Sequence, residues 1–288
     1  MKAPPFAYAR ARDPAEVFEL LNRHGDEARI LAGGQSLMPA LNMRLSSPQL
    51  LIDITRLRQL AGIRVNGDVV HIGALTTHAE IERSADIRRH LPLLAEAARH
   101  IAHPAIRNSG TLGGSLALAD PAAEWPACCV ALNAQVVLQH QGGSRHIAAR
   151  DFFHGLYATA LQANEMLTEV VIPIPAAGCR QVFLELARRR GDYAIVGVAA
   201  LARITDGAVA NLQLVFLGAG EKPIPANVAS QVFDNKQLSD KTLTAMQAAL
   251  AQDLDPVADL YHSAATKLHL ARVLAARAVR QLVAHGKV

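Results

Sequence analysis

The pattern of strand and helix signals changes once along this chain, close to residue 60, and that change limits the possible folds more than any other feature. Before it, strands and helices alternate. Residues 6–9 read as a strand, and Asp13-Pro14-Ala15-Glu16 reads as a capping box with proline at the first helical position. Val17, Leu20, Leu21 and His24 follow at helical spacing, and Gly25 is a helix stop. Residues 29–32 form a short apolar strand running into Gly33-Gly34, residues 36–43 are helical, and residues 50–54 are a third strand. Residues 1–57 thus read as a β-α-β-α-β unit.

After the change, hairpins dominate. Residues 63–65 and 69–72 flank Asn66-Gly67-Asp68, a strong hairpin signal. Two helices are expected at 77–84 and 92–101, another at 125–132, a second hairpin turning at 141–144, and a strand at 167–174. The proline-rich stretch 173–178 reads as a linker. Beyond it lie strands at 182–186, 195–204 and 209–217, the last two joined at Asp206-Gly207, and then a helix with apolar residues at three- and four-residue steps. The fold class is α+β.

Composition narrows the function. Across 288 residues 51% are apolar, which excludes a disordered chain and supplies a sizeable core. The net charge is 29 − 25 = +4 with no basic cluster, so no nucleic-acid partner is expected. No apolar run approaches the roughly 18 residues of a membrane span, and the N-terminus lacks the apolar region of a signal peptide. The expectation is a cytoplasmic protein.

Two segments carry candidate chemistry. Ala32-Gly33-Gly34-Gln35-Ser36 and Thr111-Leu112-Gly113-Gly114-Ser115 each place two glycines before a hydroxyl residue. Adjacent glycines let successive N–H groups turn into one concavity, an anion cradle, and Ser36 also opens a helix. Two cradles can hold the two phosphates of a diphosphate from opposite sides; two ordinary tight turns are the plainer reading. Neither G-x-x-x-x-G-K-[ST] nor a strand-to-helix G-x-G-x-x-G is present, so P-loop and Rossmann sites are excluded. No metal site is expected: the histidines are scattered, and Cys128, Cys129 and Cys179 fall short of the four ligands of an iron–sulfur cluster. Asp120 is expected to cap a helix with Pro121 at its first position, and Glu124 to sit near the positive helix end. Arg188-Arg189-Arg190-Gly191-Asp192-Tyr193 reads as a solvated connection that can also meet an anionic cofactor or partner. No catalytic residue is identified.

The run LAGGQSLMPALNMRLSSPQLLIDI (31–54) resembles the first flavin loop of the xanthine oxidase family, in the separate medium subunits of the aerobic carbon monoxide dehydrogenase type. IRNSGTLGGSLALADPAAEWPACCVAL (106–132) resembles the second loop, and IGALTTHAEIERS, NEMLTEVVIPIP and RRRGDYAIVGVAALARI extend the match through the chain. The resemblance implies a two-part FAD-binding domain of the vanillyl-alcohol oxidase (PCMH) type, residues 1–57 and 58–176. A C-terminal domain with a three-stranded antiparallel sheet and helices, residues 177–288, follows.

It implies that Ala32, Gly33, Gly34, Gln35, Ser36 and Leu37 hold FAD from one side and Thr111, Gly114 and Ser115 from the other. Ile101 and Ile106 would border the pocket, Asp120 or Glu124 would bond flavin hydroxyls, Leu161 and Leu167 would touch the ring system, and Tyr193 would cover it. The implied partners are a large molybdenum-pterin subunit and a small [2Fe–2S] subunit, assembled as a dimer of heterotrimers, with electrons passing from the clusters through this chain to an external acceptor. Absence of a four-cysteine insertion argues against the 4-hydroxybenzoyl-CoA reductase branch. The alternatives are a self-contained flavin reductase resembling UDP-N-acetylenolpyruvoylglucosamine reductase, and an assembly module without flavin.

Overall fold

A computed structural model describes residues 2–284; Met1 and residues 285–288, the outer ends of the first and last expected segments, lie outside the described residues. Strands β1 (Ala7–Arg10), β2 (Ala28–Leu31) and β3 (Leu50–Asp53) form a parallel sheet in the order β1-β3-β2. Helix α1 (Pro14–His24) makes the first crossover and α2 (Leu37–Asn42) lies in the second. Asp13 starts α1 by accepting the Glu16 N–H at 2.9 Å, and Gly25, at φ +50°, ends it. The expected capping box is only half formed, because the Glu16 carboxylate turns to the Arg12 N–H and guanidinium instead of Asp13. Val17, Phe18 and Leu21 share one face of α1 and pack with Leu50 and Ile52 of the fully buried β3.

The middle of the chain builds a second sheet. Strands β4 (Ile63–Asn66) and β5 (Val69–Gly73) are followed by six helices: α3 (His78–Arg83), α4 (Ala85–His90), α5 (Pro92–Ala97), α6 (Pro104–Arg107), α7 (Leu112–Leu118) and α8 (Glu124–Ala131). Then come β6 (Gln135–His140), β7 (Gly143–Ala148), α9 (Ala149–Phe152), the short pair β8 (Phe153–Gly155) and β9 (Ala158–Thr159), and β10 (Met166–Pro173). The sheet runs β4-β5-β10-β6-β7, antiparallel throughout.

Three expectations need correction here. Residues 77–101 form three helices rather than two, because the extended backbone of Ser84 ends α3 and its hydroxyl caps α4 by accepting the Ile87 N–H. The second glycine pair lies inside α7 instead of in a loop. Asp120 caps no helix: α8 begins at Glu124, and Asp120 accepts the Ala122 N–H in the preceding turn at 2.9 Å.

The last third forms β11 (Cys179–Ala187), β12 (Ala194–Thr205) and β13 (Ala208–Leu217), a meander of three long strands. Two-residue strands β14 (Ile224–Pro225) and β15 (Lys236–Gln237) also pair with β13. Helices α10 (Asn227–Gln231), α11 (Asp240–Asp253) and α12 (Ala264–Ala284) complete the chain. Alternation along β12 explains its burial: Val196, Val198 and Ala200 face the core shared with α11 and α12, while Ala199 and Leu201 face the core shared with α8. All eight residues of α8 are buried, as expected for a helix with sheet on one side and further helices on the other. The Phe183 N–H donates to Glu96 Oε2 at 3.1 Å and the Gly218 N–H to the Pro121 carbonyl at 2.9 Å, tying this sheet to the helices before it. Among the described residues no helix is long and apolar enough to cross a membrane.

Asp53, buried at the end of β3, accepts hydrogen bonds from the Thr55 N–H and hydroxyl, the Tyr8 hydroxyl and the Arg10 guanidinium. Burial pushes its pKa up, but these donors outweigh it and hold the carboxyl at about 2. The lowered pKa contributes stability above the usual value of 3.8 that is lost as pH falls toward 2. Asp53→Ala is expected to cost about 3 kcal/mol in urea unfolding at pH 7, and roughly half as much at pH 3.

Candidate functional site

A cleft of about 740 Å³ opens where the loop between β2 and α2 meets the segment joining α6 to α8. The two loops touch through backbone. A Cβ on Gly33 would lie 2.2 Å from the Ser109 carbonyl oxygen and 2.8 Å from the Gly110 Cα, so only glycine permits this approach. Gly34 serves a different need, since its φ of +69° turns the chain toward α2. The N–H groups of Gly33, Gly34, Gln35 and Ser36 donate to no group among the described residues. The Gln35 side-chain amide donates back to the Gly33 carbonyl and stiffens the loop.

The second loop is held differently. Its strand-like start pairs with the β5–α3 connection: the His78 N–H donates to the Gly110 carbonyl and the Leu112 N–H to the Thr76 carbonyl, both at 3.0 Å. The Gly113 N–H is spent on the Ala74 carbonyl, and the Gly114 N–H on the Thr111 hydroxyl that caps α7. Only the first glycine pair therefore presents an open row of amides. The second contributes close approach and the hydroxyls of Thr111 and Ser115.

All sixteen residues singled out in the sequence line this one cleft. Ala32, Gly33, Gly34, Gln35, Ser36 and Leu37 form one wall, and Thr111, Gly114 and Ser115 face them. Ile101 and Ile106 border the same space, next to a turn that Arg107 fixes by donating to the Ile101 and Ala102 carbonyls. Leu161, Leu167 and Tyr193 line the far end with Asp120 and Glu124. Tyr193 is 77% exposed, standing at the rim.

At the far end, burial shifts the carboxyls toward their protonated forms. Burial first, then repulsion from Glu185, pushes the Glu124 carboxyl up to about 8, and burial raises Glu185 to about 7. Burial also raises Asp120, against the pull of the Ala122 N–H and the Tyr157 hydroxyl. At neutral pH Glu124 keeps its proton and meets a ligand as donor as well as acceptor. Sequence reasoning expected only an acceptor there. It also missed Glu185, His78 and Tyr157, which enter through contacts distant in sequence and carry no local motif. Among the described residues no group of three metal-ligating side chains gathers.

Residues 4–175 match the family described as the FAD binding domain in molybdopterin dehydrogenase, and residues 181–282 match the CO dehydrogenase flavoprotein C-terminal domain. The chain belongs to the FAD-binding subunits of the molybdenum hydroxylases. It is 40% identical to the 6-hydroxypseudooxynicotine dehydrogenase complex subunit alpha of Paenarthrobacter nicotinovorans, over 96% of this chain and 94% of that protein. The nicotine 6-hydroxylase medium subunit of the same organism is 39% identical over 97% of this chain and 98% of its own length. The solved carbon monoxide dehydrogenase of Hydrogenophaga pseudoflava superposes with a TM-score of 0.96 at 35% identity, covering 99% of both chains. Relatives named as subunits of larger dehydrogenases favour the subunit reading over a self-contained reductase. The cleft of this FAD-binding subunit fits its cofactor: free N–H groups where an anion can sit, an apolar middle, and a rim of hydroxyls and carboxyls.

A methyl group at position 33 forces the loops apart, so Gly33→Ala is expected to weaken FAD binding at least tenfold, read by quenching of flavin fluorescence, while the far-UV circular dichroism is retained. Because Glu124 and Glu185 bind protons more tightly folded than unfolded, their contribution to stability is full below about pH 4.5 and lost as pH rises to about 8. Glu185→Gln is expected to flatten this fall, raising the melting temperature of the flavin-free chain by ~2–4 °C at pH 8 and by less at pH 5.

Proposed function

We propose that the chain is the FAD-carrying electron-transfer subunit of a heteromeric molybdenum hydroxylase, taking electrons from a [2Fe–2S] subunit and passing them to an external acceptor. The observation that carries this reading is the convergence of two loops, far apart in sequence, on one cleft with an unspent row of amides. When bound, FAD supplies the capacity to hold one or two electrons, and the protein supplies orientation and tuning.

In this reading Ala32, Gly33, Gly34, Gln35, Ser36 and Leu37 grip one side of the diphosphate, and Thr111, Gly114 and Ser115 close on the other. Ile101 and Ile106 exclude water beside it. Asp120 and the protonated Glu124 bond the hydroxyl-bearing part of the cofactor, Leu161 and Leu167 contact the ring system, and Tyr193 covers it from the rim. No residue of the chain has to act as nucleophile or general base. Residues 1–57 and 58–176 are the two halves of the FAD-binding domain, and residues 177–288 are the C-terminal domain. The partners are a large molybdenum-pterin subunit and a small [2Fe–2S] subunit, as a dimer of heterotrimers in the cytoplasm; substrate choice belongs to the large subunit.

The purified chain is expected to be yellow, with a flavin band near 450 nm, and to take up FAD in equal proportion after stripping. Co-expressed with its partners, it is expected to bring down a large and a small subunit containing molybdenum and iron. A chain that stays colourless in excess FAD overturns the reading.

A further inference from the structure

We propose that His78 donates a hydrogen bond from Nε2 to the diphosphate of the bound dinucleotide, and that Trp125 holds it in the one tautomer able to do so. The inference rests on the FAD reading above and adds to it a donor from outside both glycine loops.

His78 opens α3, and only 6% of its surface is exposed. The Trp125 indole Nε1 lies 2.9 Å from its Nδ1. An indole N–H can only donate, so Nδ1 must be bare and act as the acceptor. Burial first, and then the positive charge of Arg107, depresses the imidazole pKa to about 4, so the ring is neutral at ordinary pH. A neutral ring with a bare Nδ1 carries its single proton on Nε2.

Nε2 lies beside the contact between the two loops. A Cβ on Gly110 would lie 2.7 Å from Nε2, so the imidazole rests against the residue whose Cα also limits Gly33. The donor therefore sits where the two loops meet, close to the free amides of residues 33–36. It has no acceptor among the described residues. Nor is it sealed away: Glu185 Oε2 is the one fully buried unpartnered side-chain atom among the described residues, so Nε2 keeps an opening, and the cleft is what His78 borders.

Through that opening the Nε2–H is hydrated in the free cleft, so its lack of a protein partner costs little. An acceptor oxygen arriving in the cleft takes the place of that water on a donor already held in position by Trp125. A donor beside the contact that carries the free amides of residues 33–36 adds to the same set of N–H groups that suits phosphate oxygens. Being neutral, His78 adds direction to the grip without adding a fixed cation.

The test uses the full chain, stripped of flavin and labelled with ¹⁵N-histidine. Before FAD is added, the His78 shifts should report a bare Nδ1 and a protonated Nε2; on adding FAD, the Nε2–H resonance should move downfield and exchange more slowly with water. His78→Phe, which keeps a ring but no donor, should weaken FAD binding about tenfold, the worth of one such bond. His78→Gln, which restores an amide donor, should recover most of that loss. Trp125→Phe should leave His78 in a mixture of tautomers and weaken FAD several-fold. An Nε2–H resonance indifferent to FAD, or His78→Phe binding FAD within twofold of the unaltered chain, overturns the assignment. The resonance decides the matter even if the variants fail to fold. Failure of the unaltered chain to bind any FAD would instead overturn the reading on which the inference rests.

Discussion

The arrangement of the cleft depends on one contact, the backbone of Gly33 laid against the backbone of Ser109 and Gly110. Two surfaces without side chains meet there, so the distance between the loops is set by atoms that have no rotamers to change. Everything that borders the cleft is referenced to it. The first loop is carried by the parallel sheet and stiffened by the Gln35 amide. The second is pinned through Gly110, Leu112 and Gly113 to residues 74–78, themselves the continuation of β5. The cleft is thus a seam between two separately built cores, and its width is a property of both.

The two ends of that seam solve different electrostatic problems. At the loop end, partial positive charge comes from N–H groups left without partners, which costs little in a cleft open to water. At the far end, carboxyls are gathered under enough cover that Glu124 retains its proton. The charge of Glu124 is thus suppressed at the end where the ring system is proposed to lie. The buried side chains beneath are apolar or neutral: Trp125, Cys128 and Cys129, with the thiol of Cys129 pushed up to about 12 by burial.

Local chemistry was legible in the sequence, and distant chemistry was not. The stop at Gly25, the hairpin at residues 66–68 and the Asp206-Gly207 turn are decided by a few neighbouring residues, and the structure has them. The glycine pairs were legible as backbone devices, but their division of labour was not: that only the first keeps its amides depends on Ala74 and Thr111 claiming those of the second. Asp120 looked like a helix cap because it precedes a proline, yet the helix waits until Glu124. The places of Ile101, Ile106, Leu161, Leu167 and Tyr193 in the cleft came from resemblance, since periodicity says nothing about which loops converge. His78 escaped both routes, as its meaning lies in a tryptophan 47 residues further on.

The total enclosure of α8 has a wider consequence. Its outer side is covered by strands from the last third of the chain, and its inner side by the helices that shape the cleft. Removing the last third would strip an entire face of a helix made almost wholly of apolar residues and set the Pro121 carbonyl adrift from Gly218. The two matched segments cannot be traded like beads on a string: a hybrid that grafts one relative's tail onto another's front must also exchange α8, or accept a misfitting joint directly below Glu124.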